Sequence, residues 1–140
     1  MREYSLRLDK YGISRELYNE LRWFCRQYPD KLAELSAVRG GFNDLRRDGM
    51  PKGGGISNPT ERRAMRALAI RADIEAIEQA ALAADAGLYR EILSNVTRGV
   101  VYMNLDAPCG KNQFTAVRRK FFWHLACRLG KIGDCGAMLL

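Results

Sequence analysis

Residues 111–130 read KNQFTAVRRKFFWHLACRLG, and their apolar side chains recur at the spacing of one helix face. The inward set is predicted to be Phe114, Val117, Phe121, Phe122, Leu125 and Leu129. A rotation of about 100° per residue puts Asn112, Ala116, Arg119, Lys120 and Trp123 on the opposite face, with Gln113 and Thr115 on its margins. Arg118 projects toward the apolar side, where we expect it to be partly buried against a carboxylate.

The polar face of this helix has the chemistry of a DNA reader. The major groove admits one α-helix, whose amino-terminal side chains reach base edges. Asn112 and Gln113 suit adenine, Arg119 suits guanine or phosphate, and Thr115 suits a thymine methyl group or phosphate. Lys111 and Lys120 suit phosphates. An amphipathic helix with a merely solvated basic face explains the same residues equally well.

Two shorter segments precede this helix. Residues 87–97 predict a helix with Leu88, Ile92, Leu93 and Val96 inward. The apolar run at 100–105 fits a strand or a helix, and because an isolated strand would have no partner, we expect a short buried helix. A turn follows at residues 107–110, so the carboxyl-terminal part resembles a helix-turn-helix unit.

A long helix is predicted at residues 58–84. Asn58 is its N-cap, and Pro59 occupies the first helical position. Its apolar stripe is predicted to contain Met65, Leu68, Ile70, Ile74, Ile77, Ala81 and Ala84. At roughly 40 Å, such a helix either spans the domain or supplies an oligomer seam at Ile74 and Ile77.

The amino-terminal part predicts a helical pair. Ser14 caps a helix over 14–28, Pro29 ends it, and a second helix covers 30–38 with Leu32, Leu35 and Val38 inward. Six of the 13 glycines fall in residues 39–57, which predict a flexible loop. The expected all-α organisation is therefore a helical pair at 1–38, a loop at 39–57, a helix and DNA-binding unit at 58–130, and a frayed tail at 131–140, together one compact domain.

Charge is spread unevenly along the 140 residues, whose formal net charge is +7. Residues 39–71 carry eight basic and three acidic side chains, and residues 111–140 carry six and one. Between them, residues 72–110 carry two basic and six acidic side chains. This pattern favours a polyanionic partner, although pairing between the basic and acidic segments would also account for it.

Residue types that serve catalysis or metal binding are scarce. The four cysteines form no Cys-x-x-Cys pair and are expected to be free thiols, and His124 is the single histidine. We therefore expect no metal, no cofactor and no enzymatic activity. No stretch approaches the roughly 20 apolar residues of a membrane span, so we expect a cytoplasmic protein without a membrane partner.

Three segments resemble a known family. They are YGIS at 11–14 with LRWFCRQYP at 21–29, SNPT at 57–60, and residues 110–129 with RRKFFW at 118–123. Over residues 10–130 the chain resembles the phage-encoded RinA/ArpU-like transcriptional regulators of Firmicutes. The resemblance implies a unit like the promoter-reading carboxyl-terminal domain of sigma factors, which binds double-stranded DNA through residues 111–120. It also makes RNA polymerase a candidate partner. The glycine-rich loop and the long stretch at 97–110 depart from the family pattern.

The residues predict a protein that reads duplex DNA with the helix at 111–130, and the resemblance implies that it is a phage or prophage transcription regulator. A homodimer is a further expectation, because many DNA readers match two-fold sites. Two alternatives stay open. One is an all-helical interaction or assembly protein with the long helix as its seam, and the other is a phage DNA-packaging accessory protein.

Overall fold

The computed structural model describes residues 12–48 and 57–132, and within these ranges it contains helices and turns but no strand. The prediction of an all-α protein is confirmed. The helices are α1 (Arg15–Arg26), α2 (Tyr28–Asp48), α3 (Ser57–Ala84), α4 (Tyr89–Arg98) and α5 (Lys111–Arg128). Short 3₁₀ turns lie at Ala86–Leu88 and Tyr102–Asn104. No helix in the described ranges is both long enough and apolar enough to span a membrane.

Local sequence signals set the bounds of α1. The Ser14 side chain accepts a hydrogen bond from the Leu17 backbone N–H at 3.1 Å, as an N-cap does. The helix ends at Arg26, and Gln27 is its C-cap. Its inner face buries Tyr18, Leu21 and Cys25. The helix predicted at 14–28 is therefore confirmed, with its end two residues earlier.

The second helix is longer than the sequence predicts. It begins at Tyr28 and continues to Asp48, so the loop predicted over 39–57 is wrong for residues 39–48. A glycine inside a helix costs about 1 kcal/mol relative to alanine, a penalty that Gly40 and Gly41 impose without ending α2. The rest of the predicted loop, 49–56, lies outside the described residues. Leu32, predicted inward, is 40% exposed.

The long helix α3 begins one residue before its predicted start and ends at Ala84 as predicted. Ile70, Ile74, Ile77, Ala81 and Ala84 are buried. Met65 and Leu68 were assigned to the same stripe, and this is wrong, because their side chains are 67% and 64% exposed. At about 100° per residue, these two side chains project roughly 140–160° away from the buried set. The predicted stripe therefore combined two faces of one helix.

The chain forms two compact units. Within the described ranges, one contains residues 12–28 with 76–132, and the other contains residues 29–48 with 57–75. In the first unit α1 packs against both α4 and α5, and Lys131 Nζ pairs with Glu20 Oε2 at 2.8 Å. In the second, α2 and α3 run antiparallel, joined by Lys31–Asp73 at 2.8 Å and by an Arg66–Glu34 ion pair. These units differ from the predicted segments, since α2 pairs with α3 and α1 packs elsewhere.

The connection from α4 to α5 differs from a short turn. As predicted, α4 buries Ile92 and Val96, and Gly99 ends it in the left-handed conformation with φ of 73°. Residues 99–110 then lead to α5, whereas a strict helix-turn-helix uses a turn of about three or four residues. The 3₁₀ turn in this connection was predicted to be buried, which is wrong, because Met103 is 81% exposed. The helix-turn-helix arrangement stays a prediction.

Candidate nucleic-acid interface

The inner face of α5 anchors the helix in the first unit. Its predicted apolar members Phe114, Val117, Phe121, Phe122 and Leu125 are all buried, and Leu129 is half-buried. Phe122 meets the rings of Tyr18 and Phe121 edge to face, each with 5.1 Å between centroids. This packing fixes which side chains of α5 face outward.

The amino end of α5 carries positive potential. Gly110 precedes it in an extended conformation and offers no side-chain cap, and the first turn contains no acidic residue. The first backbone N–H groups of a helix have no partner within that helix and carry partial positive charge. Lys111 adds a full charge at the same end. This end of α5 therefore favours an anion such as a phosphate.

The six residues predicted to contact DNA are not equally accessible. Lys111, Asn112, Gln113 and Lys120 are exposed, whereas Thr115 and Arg119 are half-buried. At about 100° per residue, Asn112, Gln113 and Lys120 fall within one arc of roughly 100°, and Lys111 and Thr115 lie beyond its edge. Asn112 and Lys120 are about 12 Å apart along the axis, a length close to the width of the major groove. The structure thus brings three of the six onto one exposed face.

This exposed face ends earlier than predicted. Trp123 was assigned to it, and this is wrong, because only 4% of Trp123 is exposed. Ala126 is also buried, so the second half of α5 is covered on more than its predicted face. The Trp123 ring lies edge to face against His124, with 4.8 Å between centroids. The polar residues exposed on this face, Asn112, Gln113 and Lys120, lie within the first ten residues of α5, and Arg128 is exposed outside it.

Arg118 is half-buried, as predicted, but its predicted carboxylate partner is wrong. Its Nε donates to Asn95 Oδ1 at 2.7 Å, and its Nη1 donates to the Tyr18 hydroxyl at 3.2 Å. The guanidinium also lies 5.1 Å from the Phe122 ring centroid and 6.0 Å from that of Tyr18. Aromatic faces and neutral acceptors thus stabilise this charge and join α5 to α1 and α4.

A second basic cluster was not predicted from the sequence. Arg22 and Arg26 stand four residues apart on α1, and together with Arg118 they line a pocket of about 120 Å³. Asn95 and Gly99 at the end of α4 complete its polar lining. The signal was present in the spacing of the two arginines on one helix face.

Besides Tyr89, whose pKa burial raises, two titratable groups in the first unit have shifted pKa values. Partial burial, followed by the charges of Arg128 and Lys120, lowers the pKa of His124 below its usual 6.5. Burial raises the pKa of Tyr28 well above its usual range, and its 2.5 Å hydrogen bond to Glu78 adds to the shift. Neither group lies on the exposed arc of α5.

The described ranges contain no group of three or more histidine, cysteine, aspartate or glutamate side chains that could hold a metal ion. Cys25 and Cys109 are not disulfide-bonded, as predicted. The prediction of free thiols is wrong for Cys127, which is disulfide-bonded.

Comparison with known proteins identifies no relative. No protein-family model matches the chain, and no curated protein or solved structure matches it. The resemblance to phage regulators therefore rests on the quoted residues alone and stays a prediction.

Proposed function

We propose that this protein binds double-stranded DNA with the exposed face of α5 and acts as a phage or prophage transcription regulator. The observation that carries the proposal is the exposure of Asn112, Gln113 and Lys120 on one arc of a helix whose apolar face is buried. Amide side chains recognise adenine in the major groove, and lysine neutralises phosphates.

Charge supports the same assignment. Residues 111–131 contain six basic and no acidic side chains. No carboxylate of this segment would therefore repel a phosphate backbone bound to α5. The amino end of the helix, close to Lys111, adds partial positive charge. In this proposal Lys111 and Lys120 contact phosphates, Asn112 and Gln113 contact bases, and Thr115 and Arg119 line the edge of the contact. RNA polymerase and a second copy of the chain are the proposed further partners.

A DNA-packaging accessory role would use the same surface without sequence preference, so preference is the property to measure. Selection from a randomised duplex library is expected to enrich an adenine-containing site with the wild-type protein. Asn112→Ala/Gln113→Ala should keep non-specific binding but lose about 1–3 kcal/mol of discrimination at the contacted base pairs.

The matched control is Asn19→Ala/Gln79→Ala, which also removes two exposed amide side chains, from α1 and α3. Selection with this control variant should enrich the same DNA site as selection with the wild-type protein. An unbiased pool from the wild-type protein, or the same site from the Asn112/Gln113 variant, would contradict base reading by α5.

A second candidate function is an all-helical assembly protein. The observation that favours it lies in the unit of residues 29–75, where Leu32, Met65 and Leu68 are exposed large apolar side chains. Such side chains are frequent in protein contacts. Ile74 and Ile77, predicted as the oligomer seam, are buried within the chain, so a seam on α3 would use Met65 and Leu68 instead.

A further inference from the structure

The pocket of about 120 Å³ in the first unit concentrates positive charge. Arg22 and Arg26 reach it from α1 and Arg118 from α5, and none of its lining residues is acidic. Within the described ranges, none of the three arginines forms an ion pair. Two of them lie near aromatic rings: Arg22 lies 5.7 Å from the Tyr18 ring centroid, and Arg118 lies 5.1 Å from that of Phe122. The pocket therefore holds three cations and no formal negative charge.

One of these guanidinium groups, that of Arg118, is held in place before any ligand binds. Arg118 donates to Asn95 and to Tyr18, and Asn95 in turn donates to the Val100 carbonyl at 2.9 Å. Arg26 occupies the space beside Gly99, where an added Cβ would stand 2.6 Å from its Nη2. A charged donor that is fixed as Arg118 is loses little side-chain entropy when it binds an anion.

The size and charge of the pocket select the class of ligand. Planar guanidinium groups match the oxygens of phosphate and carboxylate with paired hydrogen bonds. A phosphate monoester with close to two negative charges offsets more of the three positive charges than a carboxylate does. A pocket of about 120 Å³ admits one phosphate group, and the rest of a larger ligand would lie outside the pocket.

We infer that this pocket binds the phosphate group of a small phosphorylated ligand. The site is separate from the proposed DNA-reading surface, because Arg118 projects about 160° away from Lys120 around the α5 axis. The inference does not depend on DNA binding. A ligand bound here would contact α1, the end of α4 and α5 together and would stabilise the first unit.

The probe is inorganic phosphate, compared with sodium chloride at equal ionic strength and pH 7.5, in thermal unfolding of the full chain. Wild type should show a saturable rise in Tm with phosphate. Arg22→Gln/Arg26→Gln should lose this rise, whereas Arg90→Gln/Arg128→Gln, which removes two exposed arginines outside the pocket, should retain it. Equal rises in the two variants, or no rise above chloride in wild type, would overturn the inference.

Two further arms make the result independent of variant stability and of DNA binding. In an NMR titration of wild type, phosphate should shift the Gly99 amide and the arginine side-chain signals in a saturable way. Linear shifts spread over all exposed basic residues would overturn the site. The Arg22/Arg26 variant should bind duplex DNA as the Arg90/Arg128 variant does. Weaker DNA binding by the Arg22/Arg26 variant would indicate that the pocket binds a phosphate of the nucleic-acid backbone, which would contradict a small ligand.

Discussion

Gly99 shows how one residue sets the geometry around it. Its φ of 73° ends α4 in the left-handed conformation, and its missing side chain leaves room for the Arg26 guanidinium. Arg118 makes a similar contribution from α5, because its hydrogen bonds reach Asn95 on α4 and Tyr18 on α1. In the described part of the first unit, Arg118 therefore joins three helices without an acidic partner.

Gly99→Ala is expected to lower the free energy of unfolding by about 1–2 kcal/mol, because alanine is strained at this φ. The new Cβ would also displace the end of the Arg26 side chain. Urea denaturation measures the loss. Gly110→Ala is the control, since φ there is −75° and the space around a Cβ is open. Equal stability of the two variants would contradict the role given to Gly99.

His124 is expected to make stability depend on pH. Its pKa is lower in the folded protein than in the unfolded chain, so the unfolded chain binds more protons between the two values. Stability is therefore lost as the pH falls below about 6.5 toward the folded pKa. Thermal unfolding at pH 7.5 and pH 5 should show a larger loss for wild type than for His124→Gln. The same loss in both proteins would assign the acid sensitivity to other groups.

Helix ends and helix faces differ in how well the sequence predicts them. Ser14 marked the start of α1, and the apolar spacing in α5 identified its buried face, because these signals are local. The extension of α2 through Gly40 and Gly41 was not predicted. The helix-propensity penalty of a glycine is about 1 kcal/mol, which is smaller than the energy that tertiary packing contributes to a helix. The exposure of Met65 and the burial of Trp123 depend on what packs against each helix, which spacing alone does not specify.

The two faces of α3 are expected to respond differently to truncation. Ile77→Ala should lower the free energy of unfolding by about 2–5 kcal/mol, because Ile77 is wholly buried. Leu68→Ala should change it by less than about 0.5 kcal/mol, because Leu68 is 64% exposed. Urea unfolding at two protein concentrations tests both. A large, concentration-dependent loss for Leu68→Ala would instead favour the assembly function, with Leu68 covered by a partner.

For the molecule as a whole, the basic block of the sequence and the exposed face of α5 coincide. Basic side chains dominate residues 111–140, and the exposed members of that block include Lys111, Lys120 and Arg128. The sequence predicted both this block and the helix that carries it. The division into two units was not predicted, because it follows from contacts of α2 with α3 that local patterns do not encode.

The most direct test of DNA binding through α5 is fluorescence anisotropy of the protein with a mixed-sequence duplex across a salt series. Wild-type affinity should fall steeply with salt, and Lys111→Ala/Lys120→Ala should reduce the slope of log K against log salt by about 2. Arg90→Ala/Arg128→Ala, which has the same net charge, should keep the wild-type slope. Absence of binding at low salt, or equal slopes for the two variants, would contradict DNA binding by α5.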